Sequence, residues 1–105
     1  MFYVYVLHSE SDSGLYIGFS SDLRRRLREH QAGTAPATAH RGPWRLIYYE
    51  ANAEESDARG REEFLKSGAG RTYLKKQCRN YFCRPSTAER MKYWLHTAQP
   101  VRACR

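Results

Sequence analysis

Short apolar segments alternate with amphipathic ones along this chain, and the alternation predicts a mixed structure of strands and helices. Three segments are rich in aromatic and β-branched residues, as strands are: "FYVYVL" at 2–7, "LYIGF" at 15–19 and "WRLIYYEA" at 44–51. Only the short polar loop "HSESDSG" separates the first two segments, which favours an antiparallel hairpin. We therefore expect a small three-stranded antiparallel sheet.

Three amphipathic segments predict helices that flank this sheet. The first helix is expected within residues 20–33, and the second over 53–68 with Gly68 as its stop. The third is expected over 71–82. The element order is then β-β-α-β-α-α, which is an α+β arrangement in which helices cover a sheet.

The chain divides into one predicted domain, residues 1–82, and a basic tail, residues 83–105. A single domain is the simplest arrangement for a chain of 105 residues. Between its two prolines the tail contains a candidate short helix around 86–97.

Charge is distributed unevenly along the chain, and the distribution points to a polyanionic partner. Residues 1–70 contain nine Lys/Arg and ten Asp/Glu, a net charge of −1, whereas residues 71–105 contain nine Lys/Arg and one Glu, a net charge of +8. The sum is the formal net charge of +7. An excess concentrated in one third of a chain is typical of nucleic-acid binding, and a solvated basic tail is the alternative.

The sequence shows no signal for a membrane or for export. No apolar run approaches the roughly 20 residues that cross a bilayer. The first predicted strand lacks the basic leader of a signal peptide. We therefore expect a cytoplasmic protein without a membrane partner.

Helical periodicity separates the cationic residues of the first predicted helix into two groups. At 100° per residue, Arg26 and His30 fall beside the apolar stripe that faces the sheet. Arg24, Arg25 and Arg28 fall on the opposite, exposed side. From spacing alone, the alternative for Arg26 is a boundary residue with its head in water, and for His30 a hydrogen-bonded histidine at the core edge.

The later helices present one inward carboxylate and one basic surface. Glu62 borders the packed side of the second helix, whereas Glu63 points to solvent. A carboxylate at that edge needs an arginine, a hydroxyl or a metal as partner, and an internal ion pair is the simplest choice. On the third helix, Lys75, Lys76 and Arg79 share an outer side suited to phosphate contacts or to solvation alone.

These residues together resemble the GIY-YIG nuclease superfamily, and more narrowly its small stand-alone bacterial proteins. The first motif corresponds to "YVY" at 3–5, and the second is intact as "YIG" at 16–18. The arginine and histidine of the family's first helix fall on Arg26 and His30, and its metal-binding glutamate falls on Glu62. The resemblance covers about residues 1–82.

One departure lies in the first motif, where Tyr3 replaces the family's usual glycine. The tail from residue 83 onward has no counterpart in the resemblance. Each motif alone is weak, but four motifs in order on the expected elements make a specific combination.

The resemblance implies a metal-dependent endonuclease that hydrolyses phosphodiester bonds in DNA, with repair and recombination as candidate roles. The implied catalytic residues are Tyr5, Tyr16, Arg26, His30 and Glu62. Glu62 would hold one divalent ion, Mg²⁺ or Mn²⁺, and no organic cofactor is expected. The implied nucleic-acid-binding residues are Arg26, Lys75, Lys76 and Arg79.

Two other functions stay open at this stage. A nucleic-acid-binding module of the same fold without cleavage is the first, although the presence of every implied catalytic residue favours the nuclease. The second is a subunit whose tail binds a protein partner through Met91, Tyr93 and Trp94, with packing on the domain as the alternative for these side chains. The sequence also leaves open which DNA structure or RNA is cleaved, and which tyrosine activates water.

Overall fold

Three strands and four helices make up residues 1–84, the part of the chain described by the computed structural model. Their bounds are β1 Phe2–Ser9, β2 Leu15–Ser20, α1 Leu23–Ala32, β3 Trp44–Asn52, α2 Glu55–Lys66, α3 Gly68–Gln77 and α4 Arg79–Phe82. The predicted tail helix and the tail's proposed partner contacts lie outside the described residues. None of the helices in residues 1–84 has the length and apolar character needed to cross a membrane.

The sheet is antiparallel with the order β2-β1-β3, so the N-terminal strand lies at its centre. This confirms the predicted α+β class and the hairpin between the first two strands. On one side of β1, Val4 and Val6 pack with Ile17 and with apolar side chains of α2 and α3, which include Leu65 and Leu74.

The other side of β1 has a separate apolar cluster. Tyr5, Leu7 and Trp44 are buried there, and α1 adds Leu23 and Leu27. The strand's two-residue alternation therefore directs valines to one cluster and tyrosine with leucine to the other.

The helix boundaries correct two predictions. Gly68 does not stop the second helix; α2 ends at Lys66, and Gly68 is the first residue of α3. The Ser67 side chain accepts a hydrogen bond from the Gly70 amide and caps α3, so the chain turns within one residue. The predicted third helix is also broken at Cys78, whose φ of −105° and ψ of 30° are not helical, into α3 and α4.

An ion pair and its hydrogen bonds join β3 to α2. Two guanidinium N–H groups of Arg61 donate to the Glu50 carboxylate, each at 2.8 Å. The Tyr48 hydroxyl also donates to Glu50, at 2.8 Å. The Arg61 guanidinium holds the pKa of Glu50 below its usual value. This bidentate contact sets the rotation of α2, and hence the position of the next residue, Glu62.

We expect the same substitution at two helical glycines to change stability in opposite directions. A Cβ on Gly70 would meet the Phe64 carbonyl oxygen, whereas nothing lies within 4 Å of a Cβ on Gly60. Gly70→Ala should therefore lower the free energy of unfolding by about 1–3 kcal/mol. Gly60→Ala should raise it by about 0.5–1 kcal/mol, because alanine is the better helix former. Urea unfolding of both variants measures this, and equal effects would contradict the close α2–α3 contact.

Candidate active site

A buried chain of hydrogen bonds connects β1, α1 and the loop after α1. The Tyr5 hydroxyl lies 2.8 Å from His30 Nε2, and His30 Nδ1 lies 2.6 Å from Thr38 Oγ1. The three residues are 1%, 4% and 0% exposed. The Thr38 carbonyl in turn accepts a hydrogen bond from the Trp44 indole at 3.1 Å, which holds the loop against β3.

The protonation states in this chain follow from burial. Burial raises the pKa of Tyr5 far above its usual value, so Tyr5 is a neutral phenol that can donate. Burial, assisted by the charge of Arg26, lowers the pKa of His30, so its imidazole is neutral. A neutral imidazole has one donor and one acceptor nitrogen. Because the Thr38 hydroxyl donates to the Ala35 carbonyl, at 3.5 Å, it accepts from Nδ1, and Nε2 is then the acceptor for the Tyr5 hydroxyl.

Gly18 leaves the space that the tyrosine rings occupy. It lies within β2 directly opposite Tyr5, and a Cβ there would collide with the Tyr5 hydroxyl and with the Tyr16 ring. The Tyr16 ring centroid lies 5.3 Å from that of His30 and 6.3 Å from that of Tyr5. The missing side chain therefore lets two tyrosines and one histidine form a single aromatic group.

Arg26 and Glu62 lie at the edge of this group, each in an ion pair. Arg26 contacts Glu29 at 3.1 Å, and the two side chains are 38% and 37% exposed. Glu62 contacts Lys66 at 3.1 Å, with side-chain exposures of 17% and 55%. Both charges act on Tyr5: after burial and Tyr16, which raise its pKa, Arg26 lowers it and Glu62 raises it. Of the five residues that the resemblance implies, Tyr5, Tyr16 and His30 are thus in contact, and Arg26 and Glu62 lie near enough for their charges to act on Tyr5.

The donor set at Glu62 fits one cation held by oxygen ligands. Residues 1–84 contain no group of three or more His, Cys, Asp or Glu side chains arranged for a metal ion. Mg²⁺ commonly binds one or two carboxylates and fills its other positions with waters and phosphate oxygens. The Glu62 carboxylate is largely shielded, and the one charged partner that it has in residues 1–84, Lys66, is half exposed.

The structure does not bring the basic side of α3 to the tyrosines. Lys75 and Lys76 of α3 and Arg79, the first residue of α4, are exposed, as predicted, but α3 packs on the sheet face opposite Tyr5. The exposed arginines on the Tyr5 side are Arg24, Arg25 and Arg28 of α1, which sequence reasoning treated as solvated surface.

Thr38 is the residue that the sequence analysis missed. It lies eight residues after His30 in a loop, "TAPATAH", that has no periodicity to indicate which side chain turns inward. The one available signal was chemical, since a buried imidazole requires partners for both nitrogens. A cleft of about 390 Å³ opens beside Thr38 and His30, toward His40 and away from the tyrosine pair.

Comparison with known proteins identifies relatives of this chain. The GIY-YIG catalytic-domain family model matches residues 1–77. The chain is 42% identical over 66 residues to the UPF0213 protein of Haloquadratum walsbyi, covering 62% of this chain and 73% of that protein. It is 37% identical over 67 residues to the UPF0213 protein of Clostridium perfringens, covering 63% and 71%.

A solved structure is also similar. The solution NMR structure of the UPF0213 protein from Bacillus halodurans has 29% sequence identity and a TM-score of 0.47. The alignment covers 92% of this chain and 99% of that one.

The buried neutral His30 should make stability depend on pH. In the unfolded protein His30 takes up a proton near pH 6.5. In the folded protein its pKa is lowered, so the imidazole takes up a proton only at lower pH. The free energy of unfolding should therefore fall as the pH drops from about 7 toward 5. The control variant His30→Gln should lose much of this slope. Urea midpoints at each pH measure it, and the same slope in both proteins would contradict a neutral His30.

Proposed function

This chain belongs to the GIY-YIG catalytic-domain family, and on that premise we propose that it is an endonuclease that hydrolyses phosphodiester bonds in DNA with one divalent metal ion, Mg²⁺ or Mn²⁺. The observation that carries the proposal is the hydrogen bond between Tyr5 and His30. It gives a phenol a proton acceptor within a site that also has an arginine and a shielded carboxylate.

Tyr5 is assigned to water activation, with His30 as the acceptor of its proton. Burial disfavours a free phenolate, so Tyr5 can take a proton from water only as its own proton moves to His30 Nε2. Thr38 orients the ring for this transfer by accepting from Nδ1. Because Tyr5 is 1% exposed, the attacking water must be one held in the site with substrate rather than bulk water.

Tyr16 and Arg26 are assigned to the phosphate. Tyr16 is half-buried beside Tyr5, so its hydroxyl end can meet a phosphate oxygen. Arg26 can exchange Glu29 for two phosphate oxygens, because a half-exposed ion pair contributes only about 0–1 kcal/mol. The guanidinium then neutralises charge as the phosphoryl group is attacked.

The charge pattern of α1 supports an anionic ligand. Arg24, Arg25 and Arg26 occupy its first turn, which contains no acidic residue. Cations near a helix N-terminus are unfavourable because that end carries partial positive charge. Asp22 offsets part of this by capping the Arg25 amide. A bound phosphate would be stabilised by both the side chains and the helix end.

Glu62 is assigned as the protein ligand of the metal ion, which when bound supplies positive charge to the phosphate oxygens. Glu62 would give up its single contact to Lys66, an i,i+4 neighbour whose side chain is 55% exposed. Exposed Lys75, Lys76 and Arg79 would add sequence-independent affinity through more distant phosphates. Repair or recombination in the cytoplasm is the biological setting that we propose.

A nucleic-acid-binding module without cleavage is the second candidate. The observation that favours it is that Arg26 and Glu62 are each engaged by a neighbouring side chain. Binding would then occur through the same basic surfaces.

Metal-dependent cleavage should require both charged site residues. We expect wild-type protein to cleave DNA when Mg²⁺ or Mn²⁺ is added and not in EDTA. Glu62→Ala and Arg26→Ala should each reduce single-turnover cleavage by about 100-fold or more, as loss of a group that stabilises transition-state charge does. A panel of branched, single-stranded and duplex DNA measures this.

Lys66→Ala is the matched control for Glu62→Ala. It removes the same ion pair but keeps the carboxylate, so cleavage should persist. Cleavage that survives Glu62→Ala and Arg26→Ala would point to a contaminant, and binding without cleavage by wild type would favour the non-catalytic module.

The two tyrosines should differ in their effects on rate. Tyr5→Phe removes the hydroxyl bonded to His30 Nε2, so single-turnover cleavage at saturating metal should fall by about 10²–10⁴-fold. Tyr16→Phe should cost less, because it removes a contact to water or phosphate and no proton acceptor. Unfolding of each variant in urea checks that the loss is not one of folding. Equal and mild losses would exclude either tyrosine as the base.

A further inference from the structure

Two neighbouring tyrosines, half-buried Tyr3 and exposed Tyr49, lie on the sheet face that carries Tyr5. Strand alternation places Tyr3 on that face, two residues before Tyr5 on β1. Tyr49 on β3 is directly opposite Tyr5 in the antiparallel register. The ring centroids of Tyr3 and Tyr49 are 6.2 Å apart with their planes 57° from parallel. Tyr3 is therefore on the same strand as the candidate base, and Tyr49 is on the adjacent strand.

No element of the described chain buries Tyr49, and Tyr3 beside it is only half-buried. Helix α1 contributes its leucines to the cluster of Tyr5, Leu7 and Trp44, and neither Tyr3 nor Tyr49 belongs to that cluster or to the opposite one. Among residues 1–84, the exposed large hydrophobic side chains are Met1 and Tyr49, at 64% and 53%. An exposed apolar surface beside a candidate active site calls for a ligand that is itself partly apolar.

The charges around the pair fit a polyanion. Strand β2 ends at Ser20, which is paired with Tyr3, and α1 begins three residues later. The first turn of α1, with its three arginines, therefore lies near the Tyr3 end of the sheet. Within residues 1–84, Arg24 and Arg25 have no ion-pair partner.

We infer that Tyr3 and Tyr49 stack on unpaired DNA bases next to the phosphate that the site contacts. Aromatic rings beside cationic side chains bind single strands by base stacking plus backbone attraction, whatever the base. A duplex keeps its bases stacked on each other and offers this surface only its backbone. The substrate class is therefore DNA with unpaired nucleotides at the cleaved bond, such as a single strand, a flap or a gap. This inference rests on the proposed function for the role of the adjacent site.

Binding in EDTA tests the inference without requiring cleavage. The probes are a fluorescent single-stranded oligonucleotide and a fully paired hairpin of the same length, titrated with the full chain. Tyr49→Ala should weaken single-strand binding by about 5–100-fold, the range for loss of one stacked base, and duplex binding by less than about twofold. Tyr49→Phe keeps the ring and should bind the single strand about as well as wild type.

A second variant separates stacking from phosphate contact. Lys75→Ala combined with Arg79→Ala should weaken both probes to a similar extent and reduce the salt dependence of binding. If Tyr49→Ala behaves like this double variant, or changes neither probe, the inference is wrong.

Two measurements on the free protein address other occupants of the face. Tyr49 should be nitrated readily in free protein and protected by the single strand, and Tyr49→Ala should leave the oligomeric state in light scattering unchanged. Protection without DNA would assign the face to another part of this chain, and a dimer lost on substitution would assign it to a second copy. Either result overturns the inference.

The proposed function can fail separately. Tyr49-dependent single-strand binding with no cleavage at any metal concentration would support the stacking site and reject the nuclease. Cleavage that is equal for wild type and Tyr49→Ala on flaps and duplexes would support the nuclease and reject the stacking site.

Discussion

The hydrogen bond between Tyr5 and His30 is the contact on which the candidate site depends. It joins the central strand to α1, and through Thr38 it also fixes the loop before β3. The bond exists only because Gly18 has no side chain where the Tyr5 hydroxyl lies. Its burial keeps both partners neutral, so the unpaired alternative would leave a phenol and an imidazole without partners in the interior. One substitution at any of these positions would disturb fold and site together.

The central position of β1 explains how so small a chain accommodates both a core and a site. Its valines complete the core beneath α2 and α3, while Tyr5 and Leu7 face α1. Each strand residue therefore serves one face only, and the site needs no separate domain. The bond between Arg61 and Glu50 performs the corresponding task for α2, since it fixes the helix whose next residue is Glu62.

Periodicity predicted much of this arrangement. It failed for residues whose placement does not follow a sequence period. The three strands, the buried His30 and the shielded Glu62 follow from periods of two and 3.6 residues, and the structure confirms them. The predicted helix stop at Gly68 was wrong, because Ser67 caps α3 and the new helix begins at Gly68 itself. Thr38 could not be found by period, since a loop residue turns inward through tertiary contacts alone. The charge of Arg26 lowers the pKa of Tyr5, but burial outweighs this effect and keeps the phenol neutral.

The ion pair of Glu50 is held by more hydrogen bonds than the ion pairs of Arg26 and Glu62. Glu50 accepts two bonds from Arg61 at 2.8 Å and a third from Tyr48, and such a contact is costly to open. Arg26 and Glu62 instead pair singly at 3.1 Å with neighbours on their own helices that are 37% and 55% exposed. Those neighbours hold the charged groups in place at little energetic cost to release. In the proposed function, an incoming phosphate or cation would compete only with these single contacts, and the backbone that positions the site would not have to move.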